Sequence, residues 1–542
     1  MITEQPGLTR IGGHLVVETL EALGAEVAFG VPGVHALAIW EALRTSSIAV
    51  YGTRTELCAG FAADGYARSS GRPAPLLLST GPGALNSLTA VMEAASSHVP
   101  VVAISSQIPT DLLGRGRGYL HELPDQLASF APLVKQASRA SSAEAIPGVL
   151  TRAWQVAVTP PCGPVFVEIP VDLLTGEAGA PAPSPIHVSV PRPAPDVIAA
   201  AAALSAAARP VIWAGGGVIR SGAQAELRAL AERLGAPVAT TYMGKGALPE
   251  DHPLSAGSGC DDAAFQDLLS GADVVLAVGT ELGAETTGQY GLRFDGRLIH
   301  VDATPERIGA TYPALGLVGD ARATLRALLG ELGDTASGGD GEGPQRVAAV
   351  HARIDVGLAA QGRELERGLL HTIEDVLPPN AITAWDMTIL GYWAAPHLRL
   401  GADQQFLYPL GSGTLGYAWP AAIGASVAHL DRSVLAVVGD GGLQYAIAEL
   451  GTAAQHQIKA TLLVIDDGGY GILREYQQDA FGETTAVELP GKDIGAIAAA
   501  YGVPVRQATP EDLGGQLRWA LEVNGPAVVI LQTRIAAAQP TP

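Results

Sequence analysis

Two acidic, glycine-flanked segments in the last third of the chain carry its strongest chemical signal: Val437-Val438-Gly439-Asp440-Gly441-Gly442 and Ile465-Asp466-Asp467-Gly468-Gly469-Tyr470-Gly471. Each ends an apolar run of strand length, and 25 residues separate Gly441 from Asp467, enough for one helix and one strand. Ligands of open α/β sheets bind beyond the carboxyl ends of the strands, so two such turns on parallel strands point into one crevice. Carboxylate and backbone-carbonyl oxygens there suit a hard, octahedral Mg²⁺ that completes its shell with phosphate oxygens and water. The plainer alternative is a pair of ordinary acidic strand-end turns.

Placing those turns side by side requires a parallel sheet, and the chain has the pattern for three. Strands are expected at Val27–Phe29, Ala49–Tyr51 and Val165–Ile169, at Pro210–Trp213, Asp273–Val278 and Leu298–Asp302, and at Ala381–Trp385, Ser433–Val438, Ala460–Ile465 and Ala527–Leu531. Helical periodicity lies between them, as around Gly13–Leu23 and Ala36–Arg44, so the fold class is α/β, with three doubly wound parallel-sheet domains. We place them at 1–185, 186–333 and 348–542. A Pro-rich stretch over Ala180–Pro195 and the segment 334–347 read as linkers. The turn Trp213-Ala214-Gly215-Gly216-Gly217 suggests a dinucleotide site, but Arg220 stands where the third glycine belongs, which favours a structural turn.

The bulk composition agrees. The chain has 542 residues, 48% hydrophobic and 16% charged, with 66 glycines and 38 prolines, as a large α/β enzyme with many tight turns would have. A net charge of −21 without a basic run argues against a nucleic-acid partner. The start lacks a leader-like pattern and no apolar span is long enough for a membrane, so a cytoplasmic protein without a membrane partner is expected. Cys58, Cys162 and Cys260 show no metal-ligand spacing and are read as core residues.

Several collinear segments resemble the thiamine diphosphate-dependent enzymes of the acetolactate synthase, benzoylformate decarboxylase and 2-oxo acid decarboxylase type. Their signature is Gly-Asp-Gly followed, after a helix and a strand, by Asn-Asn; here Asp466-Asp467 replaces the two asparagines. The segment Gly411-Ser412-Gly413-Thr414-Leu415-Gly416-Tyr417 resembles the one beneath the cofactor rings. In the first domain Arg54-Thr55-Glu56, Ala62-Ala63-Asp64-Gly65-Tyr66-Ala67-Arg68 and Thr80-Gly81-Pro82-Gly83-Ala84-Leu85-Asn86 match as well. The three domains would then be pyrimidine-binding, central and diphosphate/Mg-binding.

The resemblance implies thiamine diphosphate and Mg²⁺ as cofactors. Asp440, the Asp467 side chain and the Gly469 carbonyl would hold the metal, and Gly441, Gly442, Thr388, Gly81 and Asn86 would contact the cofactor. The Gly413 carbonyl would accept from its 4′-amino group, and Leu415 would bend it. Glu56 matches the activating glutamate, a role that needs a buried carboxyl because burial raises its pKa. Thr280-Glu281-Leu282-Gly283-Ala284-Glu285-Thr286 replaces the arginine-rich stretch of FAD-carrying members, so FAD is not expected.

The implied reaction is decarboxylation of a small 2-oxo acid, ending in an aldehyde or in transfer of the acyl group to a second carbonyl, as in an acetolactate synthase. His98, His121 and His35 are the candidate proton carriers, since imidazole titrates near neutrality. Lys135 matches a family lysine that could equally be a solvated surface residue, while Arg474 and Tyr476, with Leu473 beside them, begin the segment expected to cover the substrate. Family members join first and third domains across subunits, implying a homodimer or homotetramer with active sites at the interface. The competing reading is a non-catalytic, cofactor-binding regulatory protein, prompted by Asp466-Asp467.

Overall fold

The computed structural model describes residues 10–179, 192–333 and 339–541. Most of the expected first linker lies outside that range. Of the second, 339–347 is described, and there the expectation needs correcting: Gly343–Ala360 is a helix with Pro344 in its first turn, where a missing N–H costs nothing.

Three six-stranded sheets are present, parallel wherever strands pair. The first contains β1 (Val27–Gly30), β2 (Ala49–Gly52), β3 (Ala74–Leu78), β4 (Val101–Gln107), β5 (Ala137–Arg139) and β6 (Val165–Pro170), in the order β2-β1-β3-β4-β6-β5. The second contains β7 (Pro210–Ala214), β8 (Val238–Thr240), β9 (Ser255–Gly257), β10 (Val274–Val278), β11 (Arg297–Asp302) and β12 (Leu315–Val318), in the order β12-β11-β10-β7-β8-β9. The third contains β13 (Ile382–Trp385), β14 (Gln405–Leu407), β15 (Val434–Gly439), β16 (Thr461–Asp466), β17 (Val505–Ala508) and β18 (Ala527–Gln532), in the order β14-β13-β15-β16-β18-β17. First and third sheets therefore share one topology. The middle sheet has the dinucleotide-fold order, yet its glycine turn is consumed by packing: a Cβ at Gly215 would lie 2.2 Å from the Gly279 carbonyl oxygen.

The central strands are buried on both faces, which is why Val434–Gly439 and Thr461–Asp466 read as continuous apolar runs rather than alternating ones. Contacts divide the chain into two compact units: residues 1–189 with 411–430 and 446–460, and residues 190–410 with 431–445 and 461–542. The first unit thus includes two segments from the third domain's stretch of sequence. One is the helix Ala418–Ala428, which crosses the helix Glu56–Ser70 at backbone contact. A Cβ at Gly424 would lie 1.9 Å from the Ala62 carbonyl oxygen, and one at Gly65 would lie 2.1 Å from that of Ala421. Among the described residues no helix is long and apolar enough to cross a membrane.

Candidate active site

The acidic turns sit at the carboxyl ends of adjacent strands, since β15 pairs with β16 up to Gly439↔Ile465. Asp440 follows β15 fully buried, and its Oδ1 accepts from the Asp467 backbone N–H at 3.4 Å. The Asp467 Oδ1 accepts from the Gly469 N–H at 3.1 Å, so the aspartate closes its own turn. The glycines leave room for this. A Cβ at Gly441 would lie 2.7 Å from the Tyr470 ring, and one at Gly471 would lie 1.9 Å from the Asp467 carboxylate. Thr388 begins the helix Ile389–His397 and borders Gly439, while Gly442 abuts Asp386.

Burial pushes the Asp467 carboxyl up to about 6, and the Asp440 charge adds to the shift. Two cations face the pair. Lys492 Nζ lies 2.5 Å from Asp440 and 3.4 Å from Asp466, while Arg474 lies 3.7 Å from Asp467 and 2.6 Å from Glu488. Hard oxygen donors on converging turns, one carboxylate wholly buried, and glycines where any side chain would fill the gap together fit a divalent cation bearing a diphosphate. Leu473, Tyr476 and Phe481 point outward from the helix Gly471–Phe481, which buries only Gly471.

In the first unit Glu56 opens the helix Glu56–Ser70, beyond the carboxyl end of β2. Thr55 caps the helix, accepting from the Cys58 N–H at 3.2 Å, and the buried Glu449 accepts from the Arg54 N–H at 2.9 Å. The Glu56 carboxylate accepts from Asn86 at 3.2 Å. It is only partly buried, so the enclosure its expected role needs is not supplied by the described chain around it. Cys58 is buried, and burial pushes its thiol well up, in line with a core residue.

Gly81, with φ +65°, lies against His121: a Cβ there would come within 2.6 Å of the His121 carbonyl oxygen. The His121 ring stands 5.3 Å from that of His35, which also faces Tyr119 at 5.7 Å. Both Nδ1 atoms are buried without a hydrogen-bond partner among the described residues. Burial and, after it, the neighbouring His121 lower the His35 pKa, so that ring is neutral at physiological pH.

Glu56, Gly81, Asn86, His35 and His121 all follow carboxyl ends of strands. His98 does not. It sits in the turn before β4, at the opposite edge of the sheet, with φ 56°. Leu415 is partly exposed rather than core, beside Gly413 with φ 66°. Lys135 donates to the Val156 and Thr159 carbonyls, capping the helix Ile146–Val158.

Sequence reasoning missed Ser79, the first residue past β3, whose buried Oγ has no partner and borders both Gly33 and Gly83. Its position just beyond a strand's carboxyl end was the available signal. Gln126, which accepts from the Gly81 N–H at 2.7 Å, and Lys492 had no comparable signal.

Comparison with known proteins agrees with this geometry. Residues 10–129 match the N-terminal TPP binding domain of thiamine pyrophosphate enzymes, 197–328 their central domain and 386–531 their C-terminal TPP binding domain. The chain belongs to the thiamine pyrophosphate enzymes. A probable 2-ketoarginine decarboxylase of Pseudomonas aeruginosa is 38% identical over 94% of this chain and 91% of its own length. A probable acetolactate synthase large subunit of Methanococcus aeolicus is 32% identical over 95% and 90%, and the isozyme 1 large subunit of Escherichia coli is 30% identical over 96% and 93%. The activity is accordingly of the thiamine diphosphate-dependent 2-oxo acid decarboxylase or carboligase kind.

Proposed function

We propose that the protein decarboxylates a 2-oxo acid and protonates the product to release an aldehyde, with Mg²⁺ held by Asp440, Asp467 and the Gly469 carbonyl. The observation that carries this reading is the His35–His121 pair with its two unpartnered Nδ1 atoms. Thiamine diphosphate, when bound, supplies a nucleophilic carbon and an electron sink for the pair left behind by CO₂. Gly441, Gly442 and Thr388 would hold its diphosphate, Glu56, oriented by Asn86, would hold a proton for its pyrimidine, and the Gly413 carbonyl would accept from its amino group. His121 would deliver the proton to the product, and His35, held neutral, would accept on one ring nitrogen as it donates from the other, relaying the proton from solvent.

A dimer or higher oligomer is part of the proposal, and its support lies within the first unit. Arg68 is twelve residues along the helix from Glu56, about 18 Å of helix, and its guanidinium reaches Glu93 at 3.2 Å. Glu93 in turn accepts from the Ser412 N–H at 2.7 Å. Ser412, beside Gly413, is thus tied to the far end of the helix that Glu56 opens, which supports a pyrimidine ring gripped by Glu56 of one chain and Gly413 of another. Val34, Leu37 and Leu120 are more than half exposed around His35 and His121, apolar surface for a second copy.

The printed activity of the Pseudomonas relative makes a guanidino 2-oxo acid the first substrate to test, followed by aliphatic and aromatic ones. With Mg²⁺ and thiamine diphosphate, at least one should yield CO₂ and the aldehyde, and His121→Ala should lower aldehyde release by about a hundredfold or more. Acyloin or acetohydroxy acid as sole product would replace this reading with the acetolactate synthase type. No CO₂ from any of them would overturn it.

A further inference from the structure

We propose that Lys492 is a built-in counter-charge of the metal cradle, offsetting the carboxylate that Asp467 contributes where the family signature carries an amide. This rests on the metal-site reading above. The ammonium lies among three oxygens: it donates to the Leu489 carbonyl at 2.9 Å and pairs ionically with Asp440 Oδ2 at 2.5 Å and Asp466 Oδ1 at 3.4 Å. It is not an ordinary surface pair, because the side chains of Lys492 and Asp440 are 13% and 1% exposed. The other cation, Arg474, is shared between Glu488 and Asp467 and does not touch Asp440 or Asp466. Arg474 donates to both Glu488 oxygens, at 2.6 and 3.1 Å, and stays 3.7 Å from Asp467.

Asp440 and Asp467 share the turn where, on that reading, a divalent cation and a diphosphate would be held together, and Asp466 is joined to Asp440 through Lys492. The added carboxylates favour the metal but repel the diphosphate. One fixed ammonium moderates both effects, because it shares Asp440 with the metal and lowers the negative charge facing the phosphates. Lys492 is thus a positioning residue, acting through Asp440 and Asp466 rather than on the substrate.

The test measures two affinities by calorimetry on the full-length protein: Mg²⁺ alone, and thiamine diphosphate at saturating Mg²⁺. Lys492→Met should bind Mg²⁺ more tightly and thiamine diphosphate more weakly, each on the order of tenfold. Lys492→Arg should keep wild-type values, and Lys492→Met combined with Asp467→Asn should recover the cofactor affinity. Unchanged affinities in Lys492→Met, with normal wild-type binding, would overturn the counter-charge and leave the metal-site reading intact. A wild-type protein that binds no thiamine diphosphate would overturn both. Should Lys492→Met not fold, Asp467→Asn alone decides: cofactor binding at least as tight as wild type supports the offset, and its loss refutes it.

Discussion

At Asp467 the chain departs from the family signature and carries a charge in a half-buried turn. An amide would ligate Mg²⁺ without adding charge, whereas this carboxylate is driven up to about 6 by burial and by Asp440. The departure was legible in the sequence, but the response to it, Lys492 arriving from 25 residues further on, was not. A lysine in a Pro-Gly-Lys loop looks solvated until the loop's path is known. His397 shows the same limit. It ends the helix Ile389–His397, where burial pushes its pKa down to about 3, with Lys245 and Arg367 adding to the shift. The native ring is therefore neutral while the unfolded chain takes up a proton below about 6.5. The stability this residue contributes is present above that pH and is lost as pH falls toward 3, at up to about 1.4 kcal/mol per unit. Melting temperatures between pH 7 and pH 4.5 should fall less steeply for His397→Gln than for the wild type.

At the scale of elements, the helix crossing between Glu56–Ser70 and Ala418–Ala428 binds the segment 411–430 into the first unit. Its glycines would read as helix breakers, and nothing local explains them. They are there because each backbone touches the other. Around them the Tyr417 hydroxyl donates to Asp64 at 2.7 Å, and Arg68 pairs with Asp64 at 2.9 Å, so much of the family-like run 62–68 serves this anchorage rather than chemistry. Gly424→Val should cost about 2 kcal/mol or more in denaturant unfolding, whereas Gly52→Ala, facing open space, should be neutral. Equal effects would mean that the contact does not govern stability. That Asp440 and Asp467 follow strand ends was legible in the sequence, because a buried parallel strand is an apolar run with a visible end; Glu56 and Gly81 were read from resemblance alone. His98 lies before its strand, at the strand-entry position read from the sequence, and not among the residues beyond the carboxyl ends.

For the whole molecule, the tie between Ser412 and the far end of the helix that Glu56 opens predicts that catalysis needs two chains. Glu56→Gln and Leu415→Asp chains, each inactive alone, should recover up to about a quarter of wild-type activity when refolded or coexpressed together, because half of random dimers are hybrids and each hybrid holds one intact site. No recovery in purified hybrids would place both residues at one site within one chain. The partial exposure of Glu56 agrees with the need for a second copy to enclose it.

By itself the sequence determined the three-sheet α/β architecture, the two acidic turns and the family, because strand-length apolar runs and short glycine-rich motifs are local signals. Tertiary structure alone decided the partners that come from distant loops: His35 against His121, Ser79 beneath Gly33, Lys492 at Asp440, and the 411–430 segment on the first sheet. It also decided that Lys492 lies between the charges of Asp440 and Asp466. Side-chain electrostatics depend on distances through space, and no spacing along the chain encodes them.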